Sequence, residues 1–212
     1  MKILLFGATG RVGKEVLALA LNDGHEVTAF VRSPEKLPPS IKSHKKLQIF
    51  TGNILNHQNV QNVISNDFDL IFSALSTDKN NTLSKGIPII IQAMEKANVD
   101  RIVSIGTAGI LQARSQPDVY RFLSNESRRK STTAAEDHLS AYLSLKKSQL
   151  NWTIFCPTYL PDGIATEKVV YDLNMLPENT SKITVGNTAW FTYNELFNEK
   201  FFKYRVGIGE YE

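Results

Sequence analysis

Three glycines, Gly7, Gly10 and Gly13, stand at three-residue intervals after the apolar run of "MKILLFGATGRVGKEV". Each glycine carries a conformational cost, so three in register imply a backbone that must come close to something. A glycine turn between a strand and a helix is where a pyrophosphate meets bare N–H groups and the positive end of a helix dipole. In that setting Gly7 permits the tight turn and Gly10 clears the approach of the phosphate. Gly13 lets the helix lie close to the strand. Thr9 adds a hydroxyl donor, and the helix opens near Arg11. The second candidate lies in "AFVRSPEKL". NAD sites usually carry a carboxylate at the tip of the second strand, for the ribose hydroxyls. Arg32 stands there instead, followed by Ser33 and Lys36. A guanidinium beside a hydroxyl suits a 2′-phosphate, so the residues favour NADP(H) over NAD(H).

Other chemistries find little support. His25, His44, His57 and His138 show no paired ligand spacing and there is no cysteine cluster, so no metal site is expected. There is no Gly-x-Ser-x-Gly elbow and no Walker lysine–serine ending. The net charge of +3 is small and evenly spread, which argues against a nucleic-acid partner. The densest basic run, Arg128-Arg129-Lys130, reads as solvated surface. With Cys156 alone no disulfide can form within the chain, which fits a reducing compartment. No apolar run is long enough for a signal peptide or a membrane span. The expectation is a cytoplasmic protein, monomer or homodimer, with a small-molecule acceptor as partner and no membrane contact.

The elements that would position these residues alternate. Lys2–Phe6 is a continuous apolar strand, of the kind buried inside a parallel sheet. Val12, Val16, Leu17 and Ala20 follow at helical spacing, up to a stop at Asn22-Asp23-Gly24. Strands are predicted over 25–31, 47–50, 69–72, 101–105 and 152–156, with helices over 87–97 and 132–150. A short helix is expected at Pro34, capped by Ser33. This rhythm is that of an α/β fold, a Rossmann-type doubly wound parallel sheet. From Pro157 it breaks. Short strands are predicted over 182–185 and 204–208, and a short helix over 195–201. The reading is one domain over 1–212: a cofactor-binding core (1–156) and a small C-terminal elaboration (157–212) on the substrate side.

"GATGRVG", "FVRSPEKL", "GNILN", "SALST", "IVSIGTAG" and "LNWTIFCPTYLPDG" occur in order over residues 1–163. This set resembles the atypical short-chain dehydrogenase/reductases, in the NAD(P)-binding group with NmrA-like and biliverdin-IXβ/flavin reductase-like proteins. The resemblance implies that Gly7, Thr9, Gly10, Arg11, Val12 and Gly13 line a pyrophosphate. It implies that Arg32 and Ser33 meet the adenosine phosphate. Asn53, where the family usually has Asp, and Ile54 would lie at the adenine. Ala74, Leu75 and Ser76 would border the cofactor, and Pro157, Thr158 and Tyr159 would lie by the nicotinamide.

The wider superfamily uses a serine with Tyr-x-x-x-Lys, in which the lysine lowers the tyrosine pKa. Tyr142-x-x-x-Lys146 matches that spacing, but the helical pattern places Tyr142 with Leu139, Leu143 and Leu150 on a core face. Aligned on Glu136, the family's lysine and tyrosine positions fall on Thr132 and Arg128, so the resemblance implies a site without the usual acid. Thr107 falls on the serine position and Tyr159 near the nicotinamide; these two are the catalytic candidates. Cys156, where the family often has Arg, reads as a small buried residue. Flavins, quinones and tetrapyrroles need little acid help. The expectation is therefore an NADPH-dependent oxidoreductase acting on a small conjugated acceptor. The alternative is a non-catalytic NAD(P)-binding redox sensor of the NmrA-like type.

Overall fold

The computed structural model describes all residues except 66, 79, 128–130 and 212. In chain order the elements are β1 (Lys2–Phe6), α1 (Arg11–Asn22), β2 (Glu26–Val31), α2 (Pro39–Lys42), β3 (Leu47–Thr51), α3 (His57–Val63), β4 (Leu70–Ser73) and α4 (Thr82–Ala97). They continue with β5 (Arg101–Ile105), α5 (Thr133–Lys147), β6 (Asn151–Pro157), β7 (Val170–Leu173), β8 (Thr180–Lys182), α6 (Val185–Asn194) and β9 (Tyr204–Tyr211).

The strands form one sheet in the order β3-β2-β1-β4-β5-β6-β9-β7, with β8 also paired to β9. β1 to β6 and β9 run parallel, whereas β7 and β8 are antiparallel to β9. β1 is central because its apolar residues need cover on both faces: Ile3, Leu4, Leu5 and Phe6 are all buried. Leu4 and Phe6 pack with α3, α4 and α5, while Ile3 and Leu5 pack with α1 and α6. That alternation makes the sheet doubly wound, and it sends every βα turn to the carboxyl edge of the sheet.

Strands β1 to β6 and helices α1, α4 and α5 follow the sequence reading; α2, α3 and β7 are elements it did not predict. Four further details differ. α4 begins at Thr82, five residues before the predicted start, and holds Pro88 inside. Proline removes one helical hydrogen bond, but Leu83 and Ile90 are buried on either side of that turn and hold the helix to the sheet. Ser33 precedes a single 3-10 turn, Pro34–Lys36, and makes no capping hydrogen bond. In the tail, the segment predicted as strand 182–185 ends β8 and starts α6. The Thr184 hydroxyl accepts from the Asn187 amide and caps that helix. The β-branched and aromatic residues of α6 resemble a strand in isolation; tertiary packing of Val185, Ala189 and Phe191 against α1 makes them helical. The predicted helix at 195–201 is a 3-10 turn, Glu199–Phe201. The tail therefore extends the sheet as well as walling its carboxyl edge.

Candidate functional site

The turn after β1 shows why each glycine is where it is. Gly7 has φ +80, and a Cβ on it would lie 2.5 Å from the Ala74 carbonyl oxygen. A Cβ on Gly13 would lie 2.2 Å from the Gly7 carbonyl oxygen. These two glycines let the turn, α1 and the loop after β4 close on one another. Gly10 is different. Its φ is ordinary at −78, and an added Cβ would meet only the carbonyl oxygens of Gly7 at 3.2 Å and Ala74 at 3.8 Å. Gly10 itself is half-buried. Gly10 heads α1 with no side-chain cap, so the first-turn amides of Arg11, Val12 and Gly13 are left to donate to an outside partner. The Val12 side chain is buried in the core, so only its amide can serve. This bare, glycine-lined cradle at a helix N-terminus fits a dinucleotide pyrophosphate.

Three further tips converge beside it. Arg32 extends from the end of β2, two-thirds exposed, with Nη1 4.0 Å from Oδ2 of Asp78 in the loop after β4. Ser33 is half-buried beside it. After β3, Asn53 is exposed and its side-chain oxygen accepts from the Leu55 amide, 3.0 Å. Ile54 is buried against Gly86 of α4, so its side chain serves the core. After β4, Ala74 and Leu75 are half-buried and Ser76 is exposed.

A cleft of about 1040 Å³ opens at the carboxyl ends of β5 and β6. Thr107, Pro157, Thr158 and Tyr159 all line it, so both catalytic candidates share one cavity. Its far wall is residues 176–181 of the tail, and Gln112, Arg114, Arg121 and Asn125 reach it from the excursion after β5. Thr107 Oγ1 accepts from the Gly109 amide at 3.5 Å. That orients the hydroxyl oxygen and leaves its proton for another acceptor. Tyr159 is 65% exposed and is fixed by its backbone, its carbonyl accepting from Ile183. Thr158 donates to the Ser181 carbonyl, 3.3 Å. The glycine turn lies outside this lining but is joined to it. Arg11 Nη1 donates to the Leu160 carbonyl, 2.9 Å, and to Asp162, 3.1 Å.

Tyr142 is buried, edge-on to Trp152, with the Arg205 guanidinium 4.5 Å from its ring centre. Lys146 is exposed. Leu143, expected on the same core face, is 38% exposed. Arg128, at the family's tyrosine position, lies with Arg129 and Lys130 outside the described residues. Cys156 is buried, and burial pushes its thiol up to about 12.

Three acidic residues escaped the sequence reading. Asp78 and Asp162 are those facing the two arginines. The third, Asp137, is buried on α5, accepting from the Thr77 hydroxyl at 2.6 Å and from the Ser84 amide at 2.9 Å. It thereby ties α5 to the N-terminus of α4 and to the loop that carries Ala74–Ser76. Only Asp78 left a local signal, its place before a helix start.

The NAD(P)H-binding family matches residues 7–199. An uncharacterised chloroplast protein of Arabidopsis thaliana is 30% identical over 196 residues, covering 84% of this chain and 65% of its own length. The chain thus spans less than two thirds of the length of the curated relatives it matches. Among solved structures, a proposed epimerase of Bacteroides thetaiotaomicron is 28% identical with a TM-score of 0.86, covering 100% of this chain and 97% of its own. An anaerobillin reductase of Escherichia coli O157:H7 is 24% identical with a TM-score of 0.78, covering 98% and 97%. The chain belongs to the NAD(P)H-binding family.

Proposed function

We propose that this chain is a reductase that prefers NADPH to NADH and delivers a hydride to a small conjugated acceptor, a flavin, quinone or tetrapyrrole. The observation that carries the reading is one of placement. A bare glycine cradle and a cleft holding Thr107 and Tyr159 lie on the same carboxyl edge of the sheet, joined through Arg11. When bound, the reduced dinucleotide supplies the hydride. The chain supplies the rest. The α1 amides hold the pyrophosphate, and Arg32 with Ser33 receives the adenosine end. Thr107 donates to an oxygen or nitrogen of the acceptor and fixes its orientation. A threonine hydroxyl is a weak proton source, so the acceptor must be one whose reduced form is stabilised by conjugation and takes its proton from water.

The test is a calorimetric titration with NADPH and NADH, followed by NADPH oxidation against flavins, quinones, tetrapyrroles and aldehydes. Tighter NADPH binding with turnover of a conjugated acceptor supports the reading. Binding without turnover of any acceptor above background selects the redox-sensor alternative. Failure to bind either dinucleotide overturns both.

A further inference from the structure

The tip of β2 lacks the carboxylate that NAD sites usually place there, yet a carboxylate is present in space. Asp78 comes from the loop after β4, and its Oδ2 lies 4.0 Å from Arg32 Nη1. β2 and β4 are the two neighbours of β1. The Arg32–Asp78 pair therefore crosses the carboxyl end of β1, beside the glycine turn.

The Asp78 carboxylate is held by backbone amides. Its Oδ1 accepts from the Asn80 amide at 2.9 Å and from the Thr82 amide at 3.3 Å, at the start of α4. Those bonds hold one oxygen and aim the other at Arg32. Burial alone would raise the Asp78 carboxyl, but the hydrogen bonds from Thr82 and Asn80 and the charge of Arg32 outweigh it and hold it below the ordinary range. The carboxylate stays charged at neutral pH.

We propose that Asp78 is a specificity-determining residue for the dinucleotide, acting against Arg32. The inference rests on the reading that these strand tips receive the adenosine ribose. A 2′-phosphate takes Arg32 from Asp78 and must do so beside a fixed negative charge. A free 2′-hydroxyl needs an acceptor, and Asp78 is the carboxylate at hand. The pair thus accepts both dinucleotides. Arg32 favours the phosphate, Asp78 limits that preference, and the balance of the two sets the ratio.

The experiment titrates NADPH and NADH by calorimetry into the unmodified chain and into Asp78→Asn, Asp78→Ser and Arg32→Ala. Asp78→Ser keeps a helix-capping oxygen, so a fold defect is separated from loss of charge; thermal melts check each variant. Both Asp78 variants are expected to bind NADPH several-fold tighter and NADH several-fold weaker, moving the ratio by about tenfold, as a charged hydrogen bond allows. Arg32→Ala is expected to weaken NADPH by tenfold or more and to leave NADH nearly unchanged. A selective NADPH loss in Arg32→Ala with an unchanged ratio in folded Asp78→Ser overturns the role of Asp78 alone. Equal losses for both dinucleotides in Arg32→Ala overturn the underlying reading of this end of the site.

Discussion

Arg11, on the first turn of α1, reaches across the carboxyl edge to Asp162, with Nη1 3.1 Å from Oδ1. The same nitrogen donates to the Leu160 carbonyl. A cation at the mouth of the glycine cradle is therefore shared with the segment that follows the cleft residues Pro157–Tyr159. Both partners are largely exposed, so the pair contributes less than about 1 kcal/mol to folding. Its effect falls on binding. Asp162→Ala removes a negative charge near the cradle and frees Arg11 to turn toward a phosphate. We expect NADPH to bind about two- to fivefold tighter at low salt, with the gain shrinking at high salt. Weaker binding in Asp162→Ala would show instead that Arg11 works only in its bridged position.

Gly10 and Gly13 should respond oppositely to alanine. At Gly13 the new Cβ would sit 2.2 Å from the Gly7 carbonyl oxygen. Backbone must move, and Gly13→Ala is expected to cost about 2 kcal/mol or more in urea unfolding despite better helix propensity. At Gly10 the backbone is already in an ordinary conformation and the nearest contact is 3.2 Å. Gly10→Ala is expected to change stability by less than about 1 kcal/mol. The Cβ would narrow the bare turn in front of the α1 amides, so dinucleotide affinity should fall tenfold or more. A Gly10→Ala chain that binds normally would place the phosphate elsewhere.

The contrast also explains what the sequence disclosed. The glycine turn was legible because strand, turn and helix are contiguous over residues 2–22 and each glycine answers a local demand. The Arg32–Asp78 pairing was not legible, because Arg32 follows β2 and Asp78 follows β4, and only the parallel order β2-β1-β4 brings them together. α6 was missed for a related reason. Its residues favour a strand locally, and the apolar surface of α1 decides otherwise. Leu143 shows the limit of helical spacing as a guide to burial, since one edge of the α5 apolar stripe faces solvent.

Asp137 is where fold and site share one residue. Its carboxylate receives the Thr77 hydroxyl and the Leu83 and Ser84 amides at the N-terminus of α4. Burial alone would raise its pKa, but the hydrogen bonds from Ser84, Thr77 and Leu83 outweigh it and hold the carboxyl below the ordinary aspartate value. A depressed folded pKa gives stability that is present above the unfolded value, about 3.9. It is lost as the pH falls through the folded one. Asp137→Ala should lose about 1–3 kcal/mol at pH 7 by urea unfolding. The difference from the unmodified chain should shrink below pH 4. A pH-independent difference would mean that the cost comes from packing alone.

Thr107 offers the cleanest test of the chemistry. Its Oγ1 accepts from Gly109, and its proton is available to a ligand in the cleft. Thr107→Val keeps the shape of the side chain and removes the donor. We expect kcat with a conjugated acceptor to fall about tenfold, the worth of one neutral hydrogen bond, while the dissociation constant for NADPH stays the same. Thr107→Ser should restore most of the rate. A threonine does not titrate in the working range, so the pH profile of kcat should keep its shape in Thr107→Val even as its height drops. Loss of NADPH affinity in Thr107→Val, with no separate effect on kcat, would move Thr107 from the acceptor side of the cleft to the cofactor side.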